Sequence, residues 1–524
     1  MEQLEPLDLE ADVLVIGGGM AACWAALGAA RAGAQVVLVD KGYVGTSGVT
    51  ATGGPGHWWV APEARAEAIE KRFLMGCGLA DRTWMERIID TTWRTLPTFA
   101  NYYRFDVNDK GETVYPALRG PEYLRALRRA VLDAGVTLLD HSPALELLVH
   151  HDGSIAGARG VRRQKKQGWT ARAGAGVLAT GGCAFLSGLM GSNTNTGDGY
   201  LMAVEAGAEL SGMEFSNHYS VSPRWNSTRV LIYAWARYYD VHGNELDVMP
   251  SKPHVMARAM REGPVYADLG DAPARLRELL PQIQPATPIP FVRKGVDPFR
   301  DRFEVKLFAE GTIRGTGGLR IVDDQCQTSV PGLFAAGDAA TRELIAGATS
   351  GGGSPNSAWA LTSGLFSGSG AARVARERGR RAAAPFVALG GAGLAPTSAV
   401  REVDRGALVR AAQDEILPLD KNLFRSGDAL AASLDKLDAV WRELRQHDRG
   451  EGLDAVAARE TAALVATARW CYRAAFDRNE TRGMHERSDT PVARTELAPR
   501  QLVGGLDALW TRPEAHIGWS PSHA

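Results

Sequence analysis

Residues Ala11 to Lys41 run ADVLVIGGGMAACWAALGAARAGAQVVLVDK, and the rest of the chain is arranged around them. Ala11–Ile16 is an apolar run of strand length that ends in glycines. Gly17, Gly19 and Ala22 fill the pattern G-x-G-x-x-G/A. Side chains at the first two positions would block a tight turn and the approach of a pyrophosphate, and a larger residue at the third would push helix from strand. The spacing predicts a helix over Met20–Ala32, whose free N–H groups and positive dipole end face that pyrophosphate. Gly33 stands where a helix C-terminal cap belongs. A second strand, Gln35–Val39, delivers Asp40, whose carboxylate can accept from a ribose. A glycine pattern alone is weak. With both strands, the helix and the terminal acid in place, it predicts a dinucleotide site.

The chain has 524 residues, 45% hydrophobic and 23% charged, enough for a large core in two or three domains. A net charge of −1 and a pI near 6.9 give nucleic acid no electrostatic purchase. Cys23, Cys77, Cys183, Cys326 and Cys471 stand far apart, and no C-x-x-C occurs, which argues against a cluster, a metal site or a disulfide framework. The acidic start MEQLEPLDLEAD is unlike a signal peptide, and glycines interrupt the longest apolar runs. A cytoplasmic protein without membrane insertion is the expectation.

Beyond Asp40, KGYVGTSGVTATGGPGHWWVAP is a glycine- and hydroxyl-rich loop suited to wrapping a cofactor. Trp58 and Trp59 read as packing anchors, and His57 either shares that role or sits near the cofactor. Glu63 to Gly135 has helical spacing, and Val136–Leu139 and Ile155–Arg162 read as strands. Ala175–Thr180 is a second strand ending in glycines. NTGDG then places Asp198 to accept from a hydroxyl. Gly207–Phe308 changes texture and reads as an inserted domain. Gly332–Asp338 repeats the strand-then-glycine pattern, with Asp338 placed for a ribityl hydroxyl. AGATSGGGS leads into a helix over Asn356–Arg376, whose N-terminus suits the negative charge of a reduced flavin. Ala382–Thr397 reads as a connection, Val400–Arg478 as a helical domain, and the tail from Arg494 as a surface segment.

Three glycine-ended strands spread from Ile16 to Asp338 suit an extended FAD better than a nicotinamide cofactor. The segments VLVIGGGMAA, TSGVTATGG, VLATGG, NTGDGYLMAVEAGAEL, VPGLFAAGDAA and NETRGMHERSDTP resemble the flavoprotein subunits of the succinate dehydrogenase and fumarate reductase superfamily, which includes L-aspartate oxidase. Within it, SVSPRWNSTRVLIYAWARYYDVHGNELD is most similar to the adenylylsulfate reductase alpha subunit. The resemblance implies an α/β fold: a Rossmann-like FAD-binding domain over 1–212 and 310–381, an inserted α+β capping domain over 213–309, a helical domain over 398–500 and a tail over 501–524. It assigns the cofactor to Gly17, Gly19, Ala22, Asp40, Lys41, Thr46, Ser47, Gly53, Gly54, Thr180, Gly181, Asp198, Gly337, Asp338, Ser354 and Ser357.

The departures from the superfamily pattern also carry information. Ser47 stands where succinate dehydrogenases carry FAD on a histidine, which implies noncovalent FAD. Ala346 and Ser350 replace a histidine and an arginine that read dicarboxylates there, against fumarate or succinate as substrate. By carry-over, Arg224 and Trp235 match residues that border the substrate in the adenylylsulfate reductase alpha subunit; Arg224 and Arg258 are candidates to hold an anionic group and Trp235 to stack on a planar one. His218, Tyr219 and Lys252 are candidates to move a proton. Each also has a structural alternative: surface ion pairs for the arginines, interface packing for Trp235, and solvated or core-edge positions for the rest.

Three functions stay open. The first is an FAD-dependent oxidoreductase of the fumarate reductase or adenylylsulfate reductase type, acting on a small anionic substrate between the FAD and capping domains. The second is a flavin-carrying subunit that passes electrons to an iron–sulfur protein, against a self-sufficient oxidase of the L-aspartate oxidase kind. The third is a catalytically silent FAD protein. Substrate, electron partner and oligomeric state are not fixed by the sequence.

Overall fold

The computed structural model of the chain describes residues 5–227, 235–248, 253–283, 287–379 and 384–514. β1 (Leu7–Ile16), α1 (Met20–Arg31) and β2 (Val36–Val39) form the expected unit, with Val13 opposite Val36 and Ile16 opposite Val39 in parallel register. The outer half of β1 alternates and its inner half, VLVI, is buried on both faces, as a strand covered by helices on either side must be. The stretch with helical spacing folds as α2 (Arg65–Met75), α3 (Arg82–Thr98) and α4 (Gly120–Asp133). β3 (Thr137–Leu139) then joins the sheet beside β2.

β4 (Ala144–His150) and β5 (Ile155–Arg162) lead into β6 (Gln167–Leu178), a longer strand than Ala175–Thr180. β6 runs parallel to β1 along its length. Its first half makes an antiparallel hairpin with β5, leaving its last residues to pair elsewhere. After α5 (Asp198–Glu205) and β7 (Leu210–Ser211), the chain builds a separate antiparallel sheet. Its strands are β8 (His218–Pro223), β9 (Arg237–Tyr239), β10 (Glu245–Leu246), β11 (Val265–Asp268) and β12 (Phe303–Gly311), in the order β8-β12-β11-β9-β10. With α6 (Pro253–Glu262) it encloses its own core of Tyr238, Met256, Val265, Phe291, Phe303 and Val305. This is the inserted capping unit.

β13 (Gly318–Leu319) pairs with β7, and β14 (Leu333–Ala335) returns to the first sheet against the end of β6. α7 (Ser354–Arg378) packs backbone to backbone on α1. A methyl group at Gly364 would lie 2.6 Å from the Ala21 carbonyl oxygen, and one at Gly368 would lie 2.0 Å from that of Ala25. The two helices approach this closely only because those positions carry no side chain. β15 (Phe386–Ala388) adds an edge strand to β4, within a segment expected to be connection. α8 (Arg405–Ile416), α9 (Gly427–His447) and α10 (Asp454–Asp477) form the helical unit, with α10 its most buried member.

The tail departs from expectation. β16 (Gln501–Gly504) pairs with β7 and with β17 (Trp510–Pro513), and Leu502 and Val503 are fully buried. Its four residues are too short to show a period, so only the partner strands reveal it as core. The architecture is α/β: a parallel-centred sheet with helices on both faces, an inserted α+β unit and a C-terminal helical unit. Among the described residues no helix is long and apolar enough to cross a membrane.

Candidate functional site

One cavity of about 940 Å³ runs along the C-terminal ends of β1, β2 and β6. This is where open α/β sheets place ligands. At one end stand Gly17, Gly18 and Gly19, followed by Asp40 and Lys41; at the other stand Ile313, Arg314, Gly353, Ser354, Asn356 and Ser357. The loop 46–56, with Thr46, Ser47, Gly53 and Gly54, forms one long wall, and Thr180, Gly181, Gly337 and Asp338 form part of the other. Of the expected cofactor residues only Ala22 does not face the cavity; it is fully buried between α1 and the sheet.

The dinucleotide end is built by backbone geometry. Gly17 has φ +125°, and a methyl group there would lie 2.2 Å from the Ala179 carbonyl oxygen. The turn aims the first N–H groups of α1, which have no acceptor one turn back, at the cavity. Asp40 is buried at the end of β2 and accepts from the Ser47 hydroxyl. Burial raises its pKa, and the Ser47 hydrogen bond opposes that rise in part. Lys41 Nζ donates to Asp198 Oδ2 at 2.8 Å, to Thr196 Oγ1 at 3.0 Å and to Glu460 Oε1 at 3.2 Å. Asp198 also accepts from Thr196 at 2.6 Å. Burial pushes the Asp198 carboxyl up, but the Lys41 ammonium, the Thr196 hydrogen bond and Arg459 together outweigh it and the net shift is down. Asp198 is therefore a wall carboxylate committed to Lys41.

The far end is held by Arg342, which is fully buried. Its guanidinium donates to the carbonyls of Thr312, Ile313 and Gly315, to the Asp338 carboxylate and to Asn356 Oδ1. Tyr200 donates to the Asp338 carbonyl at 2.7 Å, and Trp359 on α7 donates to the Gly337 carbonyl at 3.0 Å. The turn 312–315, the Gly337–Asp338 turn and the start of α7 are thus pinned to one another. α7 begins at Ser354, so the positive end of a 25-residue helix opens into this part of the cavity.

An FAD fits this donor set. A diphosphate needs close backbone approach and free N–H groups, which the Gly17–Gly19 turn provides. Ribose and ribityl hydroxyls need carboxylate acceptors, and Asp40 and Asp338 both face the cavity. The cavity also continues past the dinucleotide end to a second region, as an extended cofactor requires.

The candidate substrate residues are not brought to this cavity. Arg224 is largely exposed, with Nη1 3.4 Å from Glu304 Oε1, and Trp235 is 41% exposed. Arg258 faces Glu486 at 3.8 Å across the boundary between α6 and the C-terminal segment. β8 turns Tyr219 toward the helical unit, where its hydroxyl donates to the Leu417 carbonyl at 2.8 Å and accepts from Asn422 at 3.2 Å. His218 is buried on the same strand and does not line the cavity. Lys252 lies outside the described residues. For the described positions the physical reason is common: they lie on or beside strands and a helix of the capping unit, whose packing against its own core and the helical unit decides where they point.

His57 is buried behind Gly56, edge-on to Tyr123, and burial lowers its pKa to about 3. Trp59 stacks on Trp93 at 4.3 Å, so the tryptophans are packing anchors. Among the cavity-lining residues not anticipated are Arg119, Arg163, Arg314, Asn356 and Glu460. The segment GTIRGTGG around Arg314 carried a signal in its glycines and threonines. Glu460, in the second turn of α10, carried none.

Comparison with known proteins accords with this geometry. Residues 12–234 match the family model described as FAD binding domain, and residues 413–501 match that described as Fumarate reductase flavoprotein C-term. The chain is 26% identical to a fumarate reductase (CoM/CoB) chain of Methanothermobacter marburgensis, over 93% of this chain and 96% of that one. It is 28% identical to L-aspartate oxidase of Mycobacterium leprae, over 94% and 95%. Among solved structures, E. coli quinol fumarate reductase superposes with a TM-score of 0.81 at 19% identity, covering 99% of each chain. Adenylylsulfate reductase from Archaeoglobus fulgidus gives 0.74 at 18% identity, covering 99% of this chain and 98% of that one.

Proposed function

We infer, for a chain that belongs to the FAD-dependent oxidoreductases of the fumarate reductase flavoprotein superfamily, that it carries out two-electron chemistry on a small anionic substrate at the Arg314–Ser354 end of its cavity. FAD, when bound, supplies that chemistry through its ring nitrogen N5. The chain's own residues bind and orient it. The first turn of α1 takes the diphosphate, Asp40 accepts from ribose hydroxyls, and Asp338 does the same further along. The start of α7 offsets negative charge at the ring end. Ser47 forms no bond to the cofactor in this reading, so FAD is held noncovalently.

The observation that carries the proposal is the continuity of the cavity. One space joins a dinucleotide fold to a cationic, hydroxyl-lined end under the same roof. The relatives' names set the candidate substrates as fumarate, L-aspartate and, by fold alone, adenylylsulfate. The test is to titrate the FAD-loaded protein, oxidised and reduced, with each of the three while following the flavin absorbance. Bleaching or reoxidation by one of them supports the proposal. Inertness toward all three, and toward other dicarboxylates, amino acids and sulfite, refutes it.

A flavin-carrying subunit working with an iron–sulfur protein is the second reading. Four of the five cysteines are buried, none is paired and they are dispersed, and among the described residues no three metal-ligating side chains converge. Any cluster would then come from another chain. Co-purification of an iron–sulfur polypeptide favours this reading. Rapid reoxidation by oxygen with peroxide release favours an oxidase like the L-aspartate oxidases.

A further inference from the structure

Lys41, Arg119, Arg163 and Arg314 all line the cavity, and three of them are already committed. Lys41 lies 2.8 Å from Asp198, and Arg163 lies 3.4 Å from Glu460. Arg119 lies 2.6 Å from Asp106 and 2.7 Å from Glu122. Arg314 differs. Among the described residues its side chain donates no hydrogen bond within normal distance. Its nearest carboxylate oxygen, Glu310 Oε1, lies 3.5 Å from Nε. That oxygen also accepts from the Ser220 hydroxyl. Glu310 therefore steadies the Nε side of the guanidinium and leaves its two terminal nitrogens for another partner.

The position is built even though the terminal nitrogens are not engaged. The Arg314 carbonyl accepts from Gly351 N at 3.0 Å and from Ser350 Oγ at 3.0 Å. The carbonyls on either side, of Ile313 and Gly315, accept from the buried Arg342. The aliphatic stem crosses Gly352, where a methyl group would lie 2.9 Å from Arg314 Cδ. Behind this turn Arg72, reaching from α2, donates to the carbonyls of Ser350 at 2.9 Å and Ile345 at 3.1 Å. Among the described residues Arg72 has no carboxylate within ion-pair distance. Arg314 and the N-terminus of α7 thus meet at the far end of the cavity, and Arg72 braces the turn from behind without lining the cavity.

We propose that Arg314 holds the anionic group of the substrate, through a two-point contact from its terminal nitrogens to a carboxylate or a sulfur oxyanion. This rests on the cavity being the FAD and substrate site. Arg314 is a binding and specificity residue at the ring end, and Arg342 and Glu310 position it.

The test uses the full chain loaded with FAD and titrated with malonate and, separately, with sulfate, following the flavin absorbance. One of the two probes shifts the wild-type spectrum saturably, and which one does so separates carboxylate from sulfur-oxyanion substrates. Arg314→Gln weakens that binding by about tenfold or more, equivalent to roughly 1.4 kcal/mol. Arg314→Lys, which keeps the charge and loses the planar fork, falls between them. The FAD dissociation constant of both variants stays within about twofold of wild type, which also reports that they fold. If the Gln variant binds the probe as wild type does, this inference falls and the functional reading stands. If its FAD affinity falls in parallel, Arg314 serves the cofactor and the inference falls. If neither probe alters the wild-type flavin, the inference falls, and the functional reading is then decided by the fumarate, L-aspartate and adenylylsulfate titrations.

Discussion

The Lys41 ammonium sits 2.8 Å from the Asp198 carboxylate and 3.2 Å from Glu460, so a single side chain joins the end of β2 to α5 and to α10 of the helical unit. Burial alone would lower its pKa, but the two carboxylates outweigh that and hold it above the ordinary lysine value. The contact links the cofactor cavity to a unit that is remote in sequence. Lys41→Met takes the ion-pair partner from Asp198, while Glu460 keeps Arg163, and the apoprotein should lose about 2 kcal/mol in denaturant unfolding. The double variant Lys41→Met, Asp198→Asn should recover part of that loss. Additive losses would show that the pair is not coupled.

The glycine turn separates two effects that its pattern merges. A methyl group at Gly18 would lie 2.3 Å from Asp40 Oδ2, whereas one at Gly19 meets no atom nearer than Gly48 Cα at 3.9 Å. Gly18→Ala should displace a buried carboxylate, lowering both apoprotein stability and FAD affinity. Gly19→Ala should leave apoprotein stability within about 0.5 kcal/mol and weaken FAD alone, by crowding its diphosphate. Melting of the apoprotein and FAD titration by flavin fluorescence distinguish the two.

Glu343 is fully buried next to Arg342, and its pKa is pushed up to about 8, first by burial and then by the Glu214 carboxylate. Its folded value lies above its unfolded one. Its contribution to stability is therefore complete below the ordinary glutamate range and is lost as pH rises toward about 8. Glu343→Gln can keep a hydrogen bond with Ser211 and does not titrate. Wild type should lose stability relative to this variant across that window, with a slope of at most about 1.4 kcal/mol per pH unit. A difference that stays flat with pH would contradict this.

Ala11–Lys41 was legible because everything it specifies is local: strand period, turn glycines, helix face and terminal acid lie within one supersecondary unit. The Asp338 turn and α7 were legible for the same reason. β4 and β16 were not, because buried strands show no alternation until their partners are known, and β15 was not because three exposed residues at a sheet edge are too few to show a period. Arg314 and Glu460 were missed for a related reason. Their place on the cavity wall depends on which elements fold together, and no spacing records that. The substrate candidates drawn from the capping unit were placed by type through the resemblance, and packing turns Arg224 outward and Tyr219 toward Leu417 rather than into the cavity.

β16 gives a direct check on the tail. Leu502 is fully buried, so Leu502→Ala should cost about 3 kcal/mol of unfolding free energy. A surface tail would lose almost nothing.

Every role proposed for the site depends on the cavity between Gly17 and Arg314 holding FAD. The most direct measurement is the visible absorption spectrum of the purified chain, before and after incubation with FAD and removal of the excess. The expected result is a yellow protein carrying one flavin per chain, released intact on denaturation. A protein that stays colourless after incubation would contradict it, and a flavin that remains attached to the denatured chain would contradict noncovalent binding.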